Sequence, residues 1–207
     1  MKRTLTILVF VAAFSALSGV AKADPLVFTT TLRGTNEVPA NTSPGIGNAV
    51  VTINGNMMTV SATFSGLVPT TSTGAPSGTT AAHIHCCTPP TANAGVATTT
   101  PSFPGFPLGV TSGTFTNTFD LTLASTYNAN FINANGGTVE GARLAFLNGL
   151  QNGQTYFNIH SNAFPGGEIR GQLQPVPEPT TLILLGTGLA GAALRSRRKK
   201  RKGATVR

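Results

Sequence analysis

Tyr156-Phe157-Asn158-Ile159-His160 and, beyond a short polar stretch, Glu168-Ile169-Arg170-Gly171-Gln172-Leu173-Gln174 are the segments on which the fold turns. Successive side chains on a strand point to opposite faces. In a strand over 155–160, Phe157 and Ile159 therefore take the core face and Tyr156, Asn158 and His160 the other. In a strand over 168–174, Ile169 and Leu173 face the core while Glu168, Arg170 and Gln172 face away. With 161–167 as the connecting loop, His160 falls opposite Glu168, Ile159 opposite Ile169, Asn158 opposite Arg170 and Tyr156 opposite Gln172. A slip of one residue would turn Glu168 and Arg170 into the core, so the pattern specifies its own register.

The same reading extends outward. Segments 26–32, 49–53, 57–64, 79–85 and 113–123 are β-branched, apolar or alternating, and read as further strands. Asn54-Gly55 lies between the second and third of these and predicts a tight hairpin turn whose central residues tolerate positive φ. Segments 125–133 and 139–150 read as short helices. In the second, Val139, Arg143, Phe146, Leu147 and Leu150 follow a helical period, and Gly149 or Gly153 is available to end it. Proline and glycine punctuate 69–78 and 89–109 so densely that both read as long loops. About seven strands at this spacing predict a mainly β domain, a sandwich or a barrel.

The two ends carry a different chemistry. Lys2 and Arg3 precede an apolar segment over 5–20, and Ala21-Lys22-Ala23 supplies the small-x-small pattern that signal peptidase cuts. Residues 1–23 thus read as a signal helix cleaved between Ala23 and Asp24. Pro177-Glu178-Pro179 opens onto an apolar run over 180–194, followed by a basic end over 195–207 with Arg195, Arg197, Arg198, Lys199, Lys200, Arg201 and Lys202. Cationic groups resist crossing hydrocarbon, so this arrangement stops a chain partway through a bilayer. About 15 helical residues rise roughly 22 Å, less than a hydrocarbon core of about 30 Å, which suits a temporary membrane helix.

The formal net charge of +8 belongs to these ends. Between Asp24 and Pro175 there are Arg33, Arg143 and Arg170 against Asp24, Glu37, Asp120, Glu140 and Glu168, a net charge of −2. A nucleic-acid partner is excluded on this ground. The five carboxylates are scattered, and the segment contains neither a serine-nucleophile motif nor a phosphate-binding glycine loop.

The C-terminal segment 176–207 resembles the PEP-CTERM sorting signal of Gram-negative bacteria: a Pro-Glu-Pro motif, a short hydrophobic helix and a basic end, in that order. The resemblance implies that an exosortase, a membrane protease, cuts near Pro177-Glu178-Pro179 and releases the protein to the cell surface or beyond, often alongside exopolysaccharide production. Leu32-Arg33-Gly34-Thr35-Asn36-Glu37-Val38-Pro39, together with Tyr156 to His160 and Gly167 to Leu173, is similar to the two signatures of the CHRD domain. Ala40 stands where that family commonly has a second proline. This resemblance covers 24–175 almost entirely. It implies a single immunoglobulin-like or Cu/Zn superoxide-dismutase-like antiparallel β-sandwich, and says little about activity.

His83-Ile84-His85 lies in the predicted strand 79–85. With Ile84 facing the core, both histidines share the outer face about 6.6 Å apart, within reach of one ion at bonds of about 2.0–2.1 Å. His160 also avoids the core face, and whether it joins them depends on strand order. One reading is a copper or zinc site formed by His83, His85 and His160, with Glu168 beside His160 to set its tautomer. His-x-His also resembles the copper-binding pair of Cu/Zn superoxide dismutases. The other reading is solvated histidines bonded to Glu168 or to loop carbonyls, with no metal.

Cys86 and Cys87 are the only cysteines. A vicinal disulfide in the oxidising exterior, free buried thiols, and soft ligation of an ion together with His83 and His85 all remain open. Adjacent Cα atoms lie about 3.8 Å apart across a trans peptide, shorter than disulfides prefer.

Two functions follow as expectations. The first is a non-catalytic surface or extracellular-matrix module that binds exopolysaccharide or surface proteins. The second is a metal-binding or redox protein on the same sandwich. Dismutation is disfavoured, because a domain with three arginines and no lysine offers little electrostatic steering.

Overall fold

The computed structural model describes residues 24–69, 78–177, 185–192 and 195. The predicted signal helix and the Ala23 side of its cleavage site lie outside these residues, as do Glu178, Pro179, most of the 69–78 loop and most of the basic end. Of the expected membrane helix, residues 185–192 are described and helical. No helix among the described residues is long and apolar enough to cross a membrane.

Among the described residues, eight strands form the body: β1 Leu26–Arg33, β2 Ile46–Asn54, β3 Met57–Ser65, β4 Thr79–Cys86, β5 Gly113–Asp120, β6 Thr155–Ser161, β7 Ile169–Gln172 and β8 Gln174–Pro175. Two short helices, α1 Ala129–Ala134 and α2 Val139–Gln151, lie between β5 and β6. All strand pairs are antiparallel, in the order β4-β6-β7-β1-β2-β3-β5, with β8 also on β1. The sandwich is therefore one curled sheet. Its halves, β4-β6-β7 and β1-β2-β3-β5, join along β1, where Arg33 pairs with Arg170 of β7 and Phe28 and Thr29 pair with Pro175 and Gln174 of β8.

Packing closes the curl. Phe157 on β6 and Phe115 and Phe119 on β5 all meet the ring of Phe103, with centroids 5.1–6.0 Å away, so the two ends of the sheet share one core. β2 and β3 alternate buried and open positions as half-buried strands do. β4 and β6 are buried on both faces, which a domain this small achieves by laying a loop over the second face.

The predicted register of β6 and β7 is observed at Tyr156–Gln172, Asn158–Arg170 and Ile159–Ile169. The β2–β3 hairpin is also observed, but its turn is shifted. Asn54 pairs with Met57, and the central residues are Gly55, at φ +60°, and Asn56. A glycine at the first central position meets the positive φ alone, so Asn54 stays in the ladder. The helix expected over 125–133 divides into a 3₁₀ turn, Ala124–Thr126, and α1, because Asn128 caps α1 by accepting from the Asn130 amide at 2.8 Å. β5 stops at Asp120, whose carboxylate accepts from the Thr122 amide and hydroxyl and turns the chain. α2 starts at the Thr138 cap and runs past Gly149, with Gly153 at φ +63° beyond its end.

The long 89–109 loop is a structural part of the fold. Ala97, Phe103 and Phe106 are buried in the core. Its backbone and hydroxyls also satisfy the free edge of β4: Ala97 and Phe103 amides donate to the Ile84 and Ala82 carbonyls, and the Thr98 and Ser102 hydroxyls accept from the Ile84 and Ala82 amides. An edge strand covered in this way is closed to pairing with another chain.

Candidate metal centre

Strand order decides whether the three histidines meet. β4 pairs β6 with His83 opposite Asn158, Ala81 opposite His160 and His85 opposite Tyr156. His160 is thus diagonal to His83 on the same face, within reach of long side chains. The ring centroids of His83 lie 4.7 Å from both His85 and His160, and those of His85 and His160 are 6.1 Å apart. One ring nitrogen from each lies within 4.8 Å of the others.

The face is not solvated, contrary to the expectation of outward-looking imidazoles. His83 and His85 are buried, His160 is partly so, and Tyr156, Asn158, Glu168 and Arg170 are almost fully covered. The cover comes largely from the 88–101 segment. Its Pro101 and Ala94 carbonyls accept from the Nδ1 atoms of His83 (3.1 Å) and His85 (2.8 Å), while Pro165 does the same for His160 (2.9 Å). Arg170 lies beneath it, donating to Asn93 Oδ1 at 2.8 Å and to the Pro90 and Ala92 carbonyls. The guanidinium stacks 4.0 Å over the Tyr156 ring, which stacks in turn on His85 at 4.5 Å.

A carbonyl oxygen can only accept, so each Nδ1 carries the ring proton and each Nε2 presents a lone pair. His83 Nε2 and His160 Nε2 are 2.9 Å apart, and His85 Nε2 is buried with no hydrogen-bond partner among the described residues. Burial, reinforced by the neighbouring rings, pushes His83 down to about 3; burial also pushes His85 down to about 4 and lowers His160. Neutral rings protonated at Nδ1 turn their Nε2 lone pairs toward one another, an arrangement able to accept a cation.

Glu168, expected beside His160, turns elsewhere. Its Oε1 accepts from the Ser43 hydroxyl at 2.6 Å and the Val68 amide at 2.7 Å, tying β7 to the segments flanking β2 and β3, and the Pro165 carbonyl holds His160 instead. Cys86 and Cys87 are joined in a vicinal disulfide. Their peptide is cis, with Cα atoms 3.1 Å apart, rather than the trans bond assumed from the sequence. Both sulfurs face α2, where a Cβ at Gly149 would collide with them, so neither reaches the histidines.

Sequence reasoning missed Glu37 and the covering loop. Glu37 follows β1 and is buried; an added Cβ at Gly167 would lie 2.6 Å from both its Oε1 and Asn158 Nδ2. Burial pushes its carboxyl up to about 7, partly offset by Arg170. Arg170 reads from the sequence as facing away from the core, and its burial under the loop has no signal in the strand pattern.

A mainly β, curled antiparallel domain with two sequence signatures meeting on one polar layer defines the class, and comparison with protein families agrees. The CHRD domain model matches residues 28–173, and the chain belongs to that family. The PEP-CTERM protein-sorting motif matches residues 175–199. That signal marks an exported protein, handled by exosortase, that passes through the membrane with a C-terminal anchor and then reaches the cell surface. No curated protein and no solved structure matches the chain.

Proposed function

We propose that this surface-sorted CHRD domain binds one transition-metal ion, copper or zinc, through the Nε2 atoms of His83, His85 and His160. The convergence of one ring nitrogen from each histidine, with the Nε2 atoms of His83 and His160 facing each other and every Nδ1–H donated to a backbone carbonyl, carries the reading. Imidazole suits copper and zinc, and metal-bound histidines characteristically donate their other nitrogen to a carbonyl or carboxylate. With three side-chain ligands, any further position falls to water or an outside donor. Elemental analysis of the full-length chain in mild detergent, after loading and dialysis, tests this. The expected result is one copper or zinc per chain, lost in the His83→Ala/His85→Ala double variant while the β-sheet circular dichroism is retained. A folded wild-type protein without stoichiometric metal would contradict it.

A second reading, the surface-binding module, is favoured by the outer face of β1, β2, β3 and β5. The register sets Thr31, Asn48, Thr63 and Thr114 in one row, Thr29, Val50, Ser61 and Thr116 in the next, and Val27, Thr52, Thr59 and Thr118 in a third. This uncharged, hydroxyl-rich grid suits neutral exopolysaccharide. Cosedimentation with the cell's own exopolysaccharide, weakened several-fold by Thr116→Asp with Thr59→Asp, checks it; unchanged cosedimentation would remove the grid from consideration.

A further inference from the structure

We infer that the three-histidine site is built for monovalent copper in preference to a divalent ion; this rests on the metal-binding reading above. The ligand set is three neutral imidazoles. Their Nδ1 atoms go to the Pro101, Ala94 and Pro165 carbonyls, so the surrounding shell adds no negative charge either. The carboxylate that β-strand register would have supplied, Glu168, is bonded to Ser43 and Val68.

The charged groups that do lie near this layer favour low charge on the ion. Arg170 is permanently cationic and sits on the far side of Tyr156 from His85, in a guanidinium–phenol–imidazole stack. Glu37 is a buried acid that interacts with Arg170. Even fully ionised it does no more than cancel that arginine, so the protein offers an ion a field between neutral and +1.

The cost of taking an ion out of water grows with the square of its charge, so a dication costs about four times as much to bury as a monocation. Zinc sites meet this cost with anionic ligands, a bound hydroxide or carboxylates behind the histidines. Here all three Nδ1 atoms bond backbone carbonyls, so no carboxylate stands behind the histidines. Calcium and magnesium require oxygen donors and are excluded by the donor set. Copper(I) accepts imidazole ligands and carries a single charge.

Anaerobic competition on the full-length chain in mild detergent tests this, using copper(I) against a copper(I)-specific chromophoric chelator, and zinc against a zinc-binding dye. The expected result is one copper(I) per chain that a tenfold excess of zinc does not displace. Displacement by zinc, or tighter zinc binding, overturns the preference while leaving the metal site standing; binding of neither ion overturns both. Asn158→Asp places a carboxylate opposite His83 and should raise zinc affinity at least tenfold relative to copper(I). A folded Asn158→Asp variant with an unchanged ratio overturns the charge argument, and the wild-type competition decides the preference if that variant does not fold.

Discussion

Glu37 and the histidines titrate in opposite senses, and the metal-free domain should show it. His83 and His85 drop from 6.5 to about 3 and about 4 in the folded chain, so the unfolded chain takes up protons that the native one refuses. Their contribution is complete above 6.5 and is lost as pH falls through that window. Glu37, raised from 4.5 to about 7, contributes fully below 4.5 and loses that contribution as pH rises through about 7. Two strongly shifted histidines outweigh one carboxyl, so urea unfolding between pH 6.5 and pH 4 should show stability falling with acid, by on the order of a few kcal/mol. A flat acid arm would contradict buried neutral rings. Parity along β4 and β6 kept these histidines off the core face, but that β4 pairs with β6 and so brings His160 to His83 was not legible. That the face is dry was not legible, because its cover is supplied by carbonyls of a segment rich in proline, glycine and threonine, whose docking is a tertiary fact.

At the scale of elements, periodicity located the strands and both helical regions, while their ends were set by local hydrogen bonds that patterns do not display. The Asp120 turn, the Asn128 cap and the Gly55 turn each moved a boundary by a few residues. α2 shows the limit most clearly. Gly149 and Gly153 both read as available terminators; Gly153 lies just beyond the helix, whereas Gly149 sits inside it, packed against the disulfide. In Gly149→Ala, the new Cβ would strike Cys86 Sγ, lie 2.8 Å from Cys87 Sγ and crowd Thr155 Cγ2 at 3.2 Å. Overpacking of this kind costs about 1–3 kcal/mol, even though alanine is the better helix former. Thermal unfolding of that variant should show a lowered midpoint, whereas a raised one would mean that α2 does not press on the disulfide.

The whole molecule is one sheet curled until its ends share a core, and the closure depends on a loop. Strand counting predicted a sandwich or a barrel, and the CHRD resemblance pointed to a sandwich. Neither foretold that the halves join along β1, where β7 and β8 pair with it, with Phe103 bridging β6 and β5 from the 89–109 loop. Phe103→Ala should therefore cost about 3–5 kcal/mol in denaturant unfolding, a core-sized loss for a loop residue. A cost below about 1 kcal/mol would mean that the loop merely covers the fold. The same loop supplies Ala94 and Pro101 to the histidines, so closing the sandwich and orienting the Nε2 atoms are one event. Long-range ¹H–¹⁵N correlation spectra of the imidazoles, recorded metal-free at neutral pH and again with one equivalent of copper(I) or zinc, report that event most directly. The account predicts three rings protonated at Nδ1 and bare at Nε2, with all three Nε2 signals moving together on loading. A ring protonated at Nε2, or an ion that leaves any of the three unmoved, would contradict it.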